Sequence, residues 1–170
     1  MFDYLATSPA AVEAIDGLRK AAWPAACVIS AYQTVNDPKM TDLTLQAALQ
    51  SGVDALIHAT IMTREVAVPL LLHDLDIPVV LLNCYTPDRI FPSVLPGEVA
   101  GGHLATQTLT AAGHRRIAII TGEMWMDAAK NRLKGYRQAL SSAEIPFDPD
   151  LVRIGTWQAS AGHEQTVALL

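Results

Sequence analysis

The 170-residue sequence is short of charge: Asp, Glu, Lys and Arg make up 17% of it, against roughly 25% in an average soluble domain. What charge there is leans acidic, with 17 Asp and Glu against 12 Lys and Arg, a formal net charge of −5. The densest cationic run is His114-Arg115-Arg116. A chain that grips nucleic acid by itself needs a basic face, so that class is excluded. Long apolar runs are missing too. Val66 to Leu72 and Ile77 to Leu82 are separated by charged residues, and nothing approaches the 18 or more residues of a membrane span. The start, Met1-Phe2-Asp3-Tyr4, lacks the cationic opening and apolar core of a secretory signal. The expected compartment is the cytoplasm. Only two cysteines occur, Cys27 and Cys84, in or beside apolar runs. They lack the spacing of a metal site or a disulfide framework, and both are expected to be inert core thiols.

Several kinds of chemistry are absent as motifs. Gly101-Gly102 is not followed by the third glycine of a dinucleotide fingerprint, and no P-loop occurs. His163-Glu164 opens like a zinc-protease helix, but Val167 stands where the second histidine belongs. No G-x-S-x-G elbow is present. The five histidines, at 58, 73, 103, 114 and 163, share no ligand spacing. Glu123 and Asp127 could pair, although acids at a helix start more often serve as caps and dipole partners. No enzymatic activity, metal or cofactor is expected.

What is present is 51% hydrophobic residues, enough apolar surface to offset the ordering entropy of a folded domain. Helical and strand patterns alternate. Ser8-Pro9 reads as an N-cap and first-turn proline, followed by Val12, Ile15 and Leu18 at helical spacing, with Trp23-Pro24 as the stop. Ala26 to Ala31 is a short apolar run without alternation, as expected of a strand buried on both faces. Asn36-Asp37-Pro38 makes a turn, and a helix runs from about Lys39 to Ser51 with Gly52 as its C-cap. Val53 to His58 reads as the next strand. A kinked helix is expected near Thr63 to Asp74, broken by Pro69, then a strand at Pro78 to Leu82. After a loop holding Pro87, Pro92 and Pro96 come a helix from Glu98 to Ala112 ending at Gly113 and a strand at Arg116 to Thr121. A helix at Asp127 to Ser142, a strand at Leu151 to Gly155 and a last helix from Ala159 follow. This order predicts an α/β fold of doubly wound parallel sheets, with a boundary in the proline-rich stretch between residues 83 and 97.

Sheets of this kind bind ligands beyond the carboxyl ends of their strands. His58, Asn83, Trp125 and Trp157 fall at those ends, and Arg132 lies on the helix after the fourth strand. Hydrogen-bonding groups with an indole face suit a neutral polyol. Taken singly, each Trp reads as rim packing and Arg132 as a surface helix charge; their shared position at one edge favours a site.

Two longer motifs add a resemblance. Gly113-His114-Arg115-Arg116-Ile117-Ala118-Ile119-Ile120-Thr121-Gly122 and Asn131-Arg132-Leu133-Lys134-Gly135-Tyr136-Arg137-Gln138-Ala139-Leu140 are similar to segments of the effector-binding core of the LacI/GalR family of bacterial transcription regulators. Gly52 to Ile57, Ile77 to Leu82, and Leu151 to Trp157 with Gly162 continue it, and residues 2–51 resemble the family more weakly. The resemblance implies a periplasmic-binding-protein-like type I fold of two lobes, residues 1–95 and 96–170, holding a small effector, often a sugar or nucleobase, between them. It implies effector contacts from Arg132, from Trp157 as a stacking aromatic, from Asn83 where members often carry Asp, and from His58, Met126 and Ala128. It further implies a homodimer that responds to lobe closure and meets operator DNA through a helix-turn-helix headpiece missing here. The first core strand and the second half of the distal lobe are also expected to be missing, the former leaving strand edges unpaired. Gly97-Glu98 departs from the Asp-Asn common at the crossover. The alternatives are a solute-binding protein of a transport system, an α/β enzyme, and a gene product without a function of its own.

Overall fold

A computed structural model describes residues 1–5 and 8–170. The chain separates into two compact units, Met1–Leu95 and Pro96–Leu170, each with its own parallel sheet.

The first unit holds α1 (Pro9–Ala22), α2 (Pro38–Gln50), β1 (Leu56–Glu65), β2 (Val79–Tyr85) and β3 (Ser93–Val94). The helix starts follow local chemistry. Pro9 and Pro38 each occupy the first turn, where a missing N–H costs nothing. Asp37 caps α2 by accepting from the Met40 amide at 3.0 Å, whereas Ser8 makes no side-chain cap. The three strands run parallel in the order β1-β2-β3. Alternation along them buries opposite faces. Phe2, Ala59 and Leu82 pack with Ala11, Ile15 and Leu18 of α1. Met1, Leu56 and Val79 pack with Leu45 of α2 and with Leu72. Helices therefore cover both faces of this sheet, as the alternating pattern predicts.

Four expectations need correction. The edges beside the first core strand's place are not left wholly unpaired: Phe2 bridges in parallel to both Gln33 and Ala59. Its amide donates to the Tyr32 carbonyl at 2.8 Å, and the Ala59 amide donates to the Met1 carbonyl at 2.8 Å. Phe2 alone thus bridges to both neighbours, and residues 1–3 form no strand of their own. Second, Ala26 to Ala31 form no strand, and Val28 is 88% exposed. The run has apolar composition but, among the described residues, no ladder partner. Third, Cys27 lies outside any strand and is exposed, while Cys84 is buried and burial pushes its thiol up to about 11.

The fourth correction concerns residues 63–74. Thr63 to Glu65 belong to β1, Val66 to Pro69 are irregular, and only Leu70–Asp74 form a 3-10 turn. β1 bulges out between its pairings Ala59↔Leu82 and Arg64↔Cys84, so it outruns β2 over that stretch. Asn83, in the left-handed region at φ +60, fastens the bulge. Its Nδ2 donates to the Thr60 carbonyl at 3.0 Å, its own carbonyl accepts from Thr60 Oγ1 at 2.9 Å, and its Oδ1 accepts from Thr63 Oγ1.

The second unit contains α3 (Glu98–Ala111), β4 (Ile119–Thr121), α4 (Asp127–Ser142), β5 (Val152–Ile154) and α5 (Ala159–Val167). Gly113 ends the α3 segment at φ +89, a conformation that glycine adopts without strain. β4 and β5 pair in parallel. Ile117, Tyr136, Leu140 and Ile145 form the core, where the buried Tyr136 hydroxyl donates to the Ile117 carbonyl at 2.8 Å. Helices α3 and α4 touch backbone to backbone: a Cβ on Gly102 would lie 2.3 Å from the Arg132 carbonyl oxygen, and one on Gly135 would lie 2.1 Å from that of Val99. This crossing fixes the turn of α4 that carries Arg132.

Candidate functional site

In the second unit, the carboxyl ends of β4 and β5 carry Thr121-Gly122 and Gly155-Thr156-Trp157. The Trp157 indole lies against Gly122, where an added Cβ would meet its ring at 2.5 Å. Its Nε1 donates to Met126 Sδ at 2.9 Å. The ring is thus anchored at its polar edge while the residue stays 48% exposed. Arg132 reaches the same place from α4, its guanidinium carbon 5.5 Å from the Trp157 ring centroid, within cation–π range. Together with Thr121, Gly122, Tyr136 and Thr156 they line a cavity of about 410 Å³, in the range of small-molecule sites.

Arg132 is not alone. Its Nε donates to Glu98 Oε2 and its Nη2 donates to Glu98 Oε1 at 3.0 Å, the two-pronged pairing that suits guanidinium and carboxylate planes. Reading the strand ends did not find Glu98, which pairs with Arg132 at this cavity. Its departure from the Asp-Asn pattern was the available signal. Met126 and Ala128 are buried, 4% and 8% exposed, so Met126 acts beneath Trp157 and Ala128 lies at the base of α4. Trp125 is 63% exposed and is not among the cavity's lining residues. Asp127 sits in the first turn of α4, where a carboxylate suits the helix dipole, and pairs with Lys130 at 3.5 Å.

His58 and Asn83 belong to the first unit. Both ends of the Asn83 side-chain amide are engaged by the β1 bulge. His58 is 8% exposed. Burial first, and then the positive charges of the amino terminus and Arg64, hold its imidazole down at about 4. It lines a cavity of about 780 Å³ with Asp3, Thr34, Thr60 and Arg64. Asp3, 2% exposed, accepts from the amides of Tyr4 and Ile61 at 2.9 and 3.0 Å. Its Oδ2 lies 3.1 Å from Arg64 Nη2; the contact is ionic without the alignment of a hydrogen bond, since Oδ2 has no hydrogen-bond partner. Nothing in the sequence pattern signals this pair, which joins positions far apart in the chain. Among the described residues, no group of three or more His, Cys, Asp or Glu is arranged to hold a metal ion. No helix of the described residues is long and apolar enough to cross a membrane.

Residues 12–170 match the family model described as periplasmic binding proteins and the sugar-binding domain of the LacI family. The ribose operon repressor of Haemophilus influenzae is 35% identical over 121 residues, covering 68% of this chain and 34% of that protein. Among solved structures, a LacI-family transcriptional regulator from Rhizobium etli superposes with a TM-score of 0.76 at 25% identity, over 90% of this chain and 53% of that one. The complex of the transcriptional regulator CelR with cellobiose gives a TM-score of 0.73 at 26% identity, over 98% and 51%. The chain spans about a third of the length of that curated relative and about half of those solved chains. With parallel α/β units, matching motifs and a family model covering nearly all of it, the chain belongs to the family of periplasmic binding proteins and LacI-type sugar-binding domains.

Proposed function

We propose that this chain is the effector-sensing part of a LacI-type transcription regulator and that its effector is a small polyol. The observation that carries this reading is the corner formed by Arg132 over the anchored Trp157 ring, beside a cavity of about 410 Å³. The guanidinium supplies hydroxyl-directed donors, and the indole face covers the C–H patch of a sugar ring. Lobes 1–95 and 96–170 serve as the family's two effector-binding lobes in this proposal, with His58, Asn83, Met126, Ala128 and Trp125 as further effector-side residues.

The reading makes the chain a sensor rather than an enzyme, working in the cytoplasm and assembling as a homodimer. DNA recognition requires a basic element, and these 170 residues carry a net charge of −5; operator contact is therefore assigned to a headpiece outside them. Switching requires that effector favour one arrangement of the regulator over another. A relative named a ribose operon repressor and a neighbour solved with cellobiose support a sugar as the effector class.

Calorimetric titration of the chain with ribose, cellobiose and a panel of neutral sugars tests this. Saturable binding by at least one is expected, weakened at least about tenfold by Arg132→Ala and by Trp157→Ala, equivalent to about 1.4 kcal/mol each. Equal affinity in wild type and both variants would remove the Arg132–Trp157 corner from the proposal.

A further inference from the structure

We infer that Glu98 is a built-in anion that occupies Arg132 and restricts this site to uncharged effectors. The inference rests on the effector reading above and deepens it.

An arginine at the mouth of a cavity is ordinarily a receptor for carboxylate or phosphate, because its fork of donors matches two acceptor oxygens in one plane. Here that fork is filled. Glu98 engages Nε and Nη2 together, and its side chain is only 10% exposed against 45% for Arg132. Surface ion pairs are usually weak because water competes for both partners and the side chains lose freedom on pairing. This pair departs from that pattern in two ways. The carboxylate is largely shielded, and both residues are on helices locked together by the Gly102 and Gly135 contacts. Holding the geometry therefore costs little additional entropy.

An anionic ligand would have to displace the Glu98 carboxylate or share Arg132 with it. Displacement leaves a mostly shielded carboxylate without its cation, and sharing sets two like charges side by side. A hydroxyl meets neither obstacle. It can accept from an Nη hydrogen left over, since guanidinium carries five donors and the pair uses two, and it can donate to a carboxylate lone pair. Glu98 thus converts an anion receptor into a reader of hydroxyl groups. The cation–π contact holds the guanidinium beside Trp157 in the same geometry.

The test compares wild type with Glu98→Gln, which keeps the shape and an acceptor while removing the charge. Two probes are used: inorganic phosphate, and the neutral sugars ribose and cellobiose. The readout is the ¹H–¹⁵N resonance of Arg132 Nε, with Trp157 Nε1 as a neighbour. Phosphate is expected to titrate Arg132 at least about tenfold more tightly in Glu98→Gln than in wild type, the ratio that about 1.4 kcal/mol represents. The gain should disappear at high salt and, followed at Trp157 Nε1, in the Glu98→Gln, Arg132→Gln double variant. Sugar affinity should change much less. Equal phosphate affinity in wild type and Glu98→Gln, or no phosphate response in either, would overturn the inference. If the phosphate contrast appears while no sugar binds either form, the occupation of Arg132 by Glu98 stands and the polyol reading falls.

Discussion

Gly101 and Gly102 are neighbours on α3, yet the structure requires different responses to the same substitution. A Cβ at Gly101 meets nothing within 4 Å. Gly101→Ala therefore gains the helix propensity difference alone, about 1 kcal/mol of stability. A Cβ at Gly102 would sit 2.3 Å from the Arg132 carbonyl oxygen and 2.9 Å from its C and Cα. These are backbone atoms on a packed helix and cannot swing aside. Relieving the contact requires α3 and α4 to part by roughly 0.7 Å, an overpacking cost of about 1–3 kcal/mol. The propensity gain is common to both variants, so the difference between them isolates that cost. Urea unfolding followed by circular dichroism should give midpoints separated by about 0.5–1.5 M, taking a slope of about 2 kcal/mol/M, with Gly101→Ala above wild type and Gly102→Ala below Gly101→Ala. Coincident midpoints would refute the backbone contact between the helices. They would also remove the basis for treating Arg132 as rigidly placed.

Other consequences are simpler to measure. Tyr136→Phe removes the buried hydroxyl that donates to Ile117 and should cost about 1 kcal/mol in the same unfolding experiment; no loss would mean that the Ile117 carbonyl finds another donor. Asn83→Ala removes the side-chain bonds that fasten the β1 bulge and leaves alanine at φ +60, for a cost of about 2–3 kcal/mol. Unchanged stability with lost sugar binding would instead make Asn83 a direct ligand contact. For His58, the folded imidazole lies at about 4 against an ordinary 6.5, so below 6.5 the unfolded chain binds more protons than the folded one. Stability is then full above about 6.5 and falls progressively towards pH 4, by about 2–4 kcal/mol. His58→Gln should flatten that loss, and an NMR titration showing His58 protonated at pH 6 would contradict it.

Features set by local chemistry were readable in the sequence. Pro9 marks a helix start, Gly52 and Gly113 mark helix ends through positive φ, and α3, α4 and α5 begin where their patterns place them. Features set by long-range pairing were not. Ala26 to Ala31 has the composition of a buried strand, but strand formation depends on a partner in register, and Phe2 faces Gln33 instead. Thr63 to Asp74 reads as helical, yet the Asn83 side chain draws Thr60 and Thr63 into an extended bulge. Asp3 and Arg64 form their pair only because the bridged segment at Phe2 and the end of β1 are adjacent. That Arg132 and Trp157 lie together at one cavity agrees with their places after the fourth and fifth strands. The pairing of Glu98 with Arg132 was marked only by the departure from Asp-Asn, because it depends on how α3 crosses α4, which spacing along one helix does not reveal.

The central claim is that Arg132 and Trp157 together receive a small uncharged polyol. The most direct measurement is a ¹H–¹⁵N titration of the chain with ribose and with cellobiose, following Arg132 Nε and Trp157 Nε1. Both resonances should shift together and saturate with one affinity. The claim is contradicted if neither moves with any sugar, or if a sugar binds while both remain fixed.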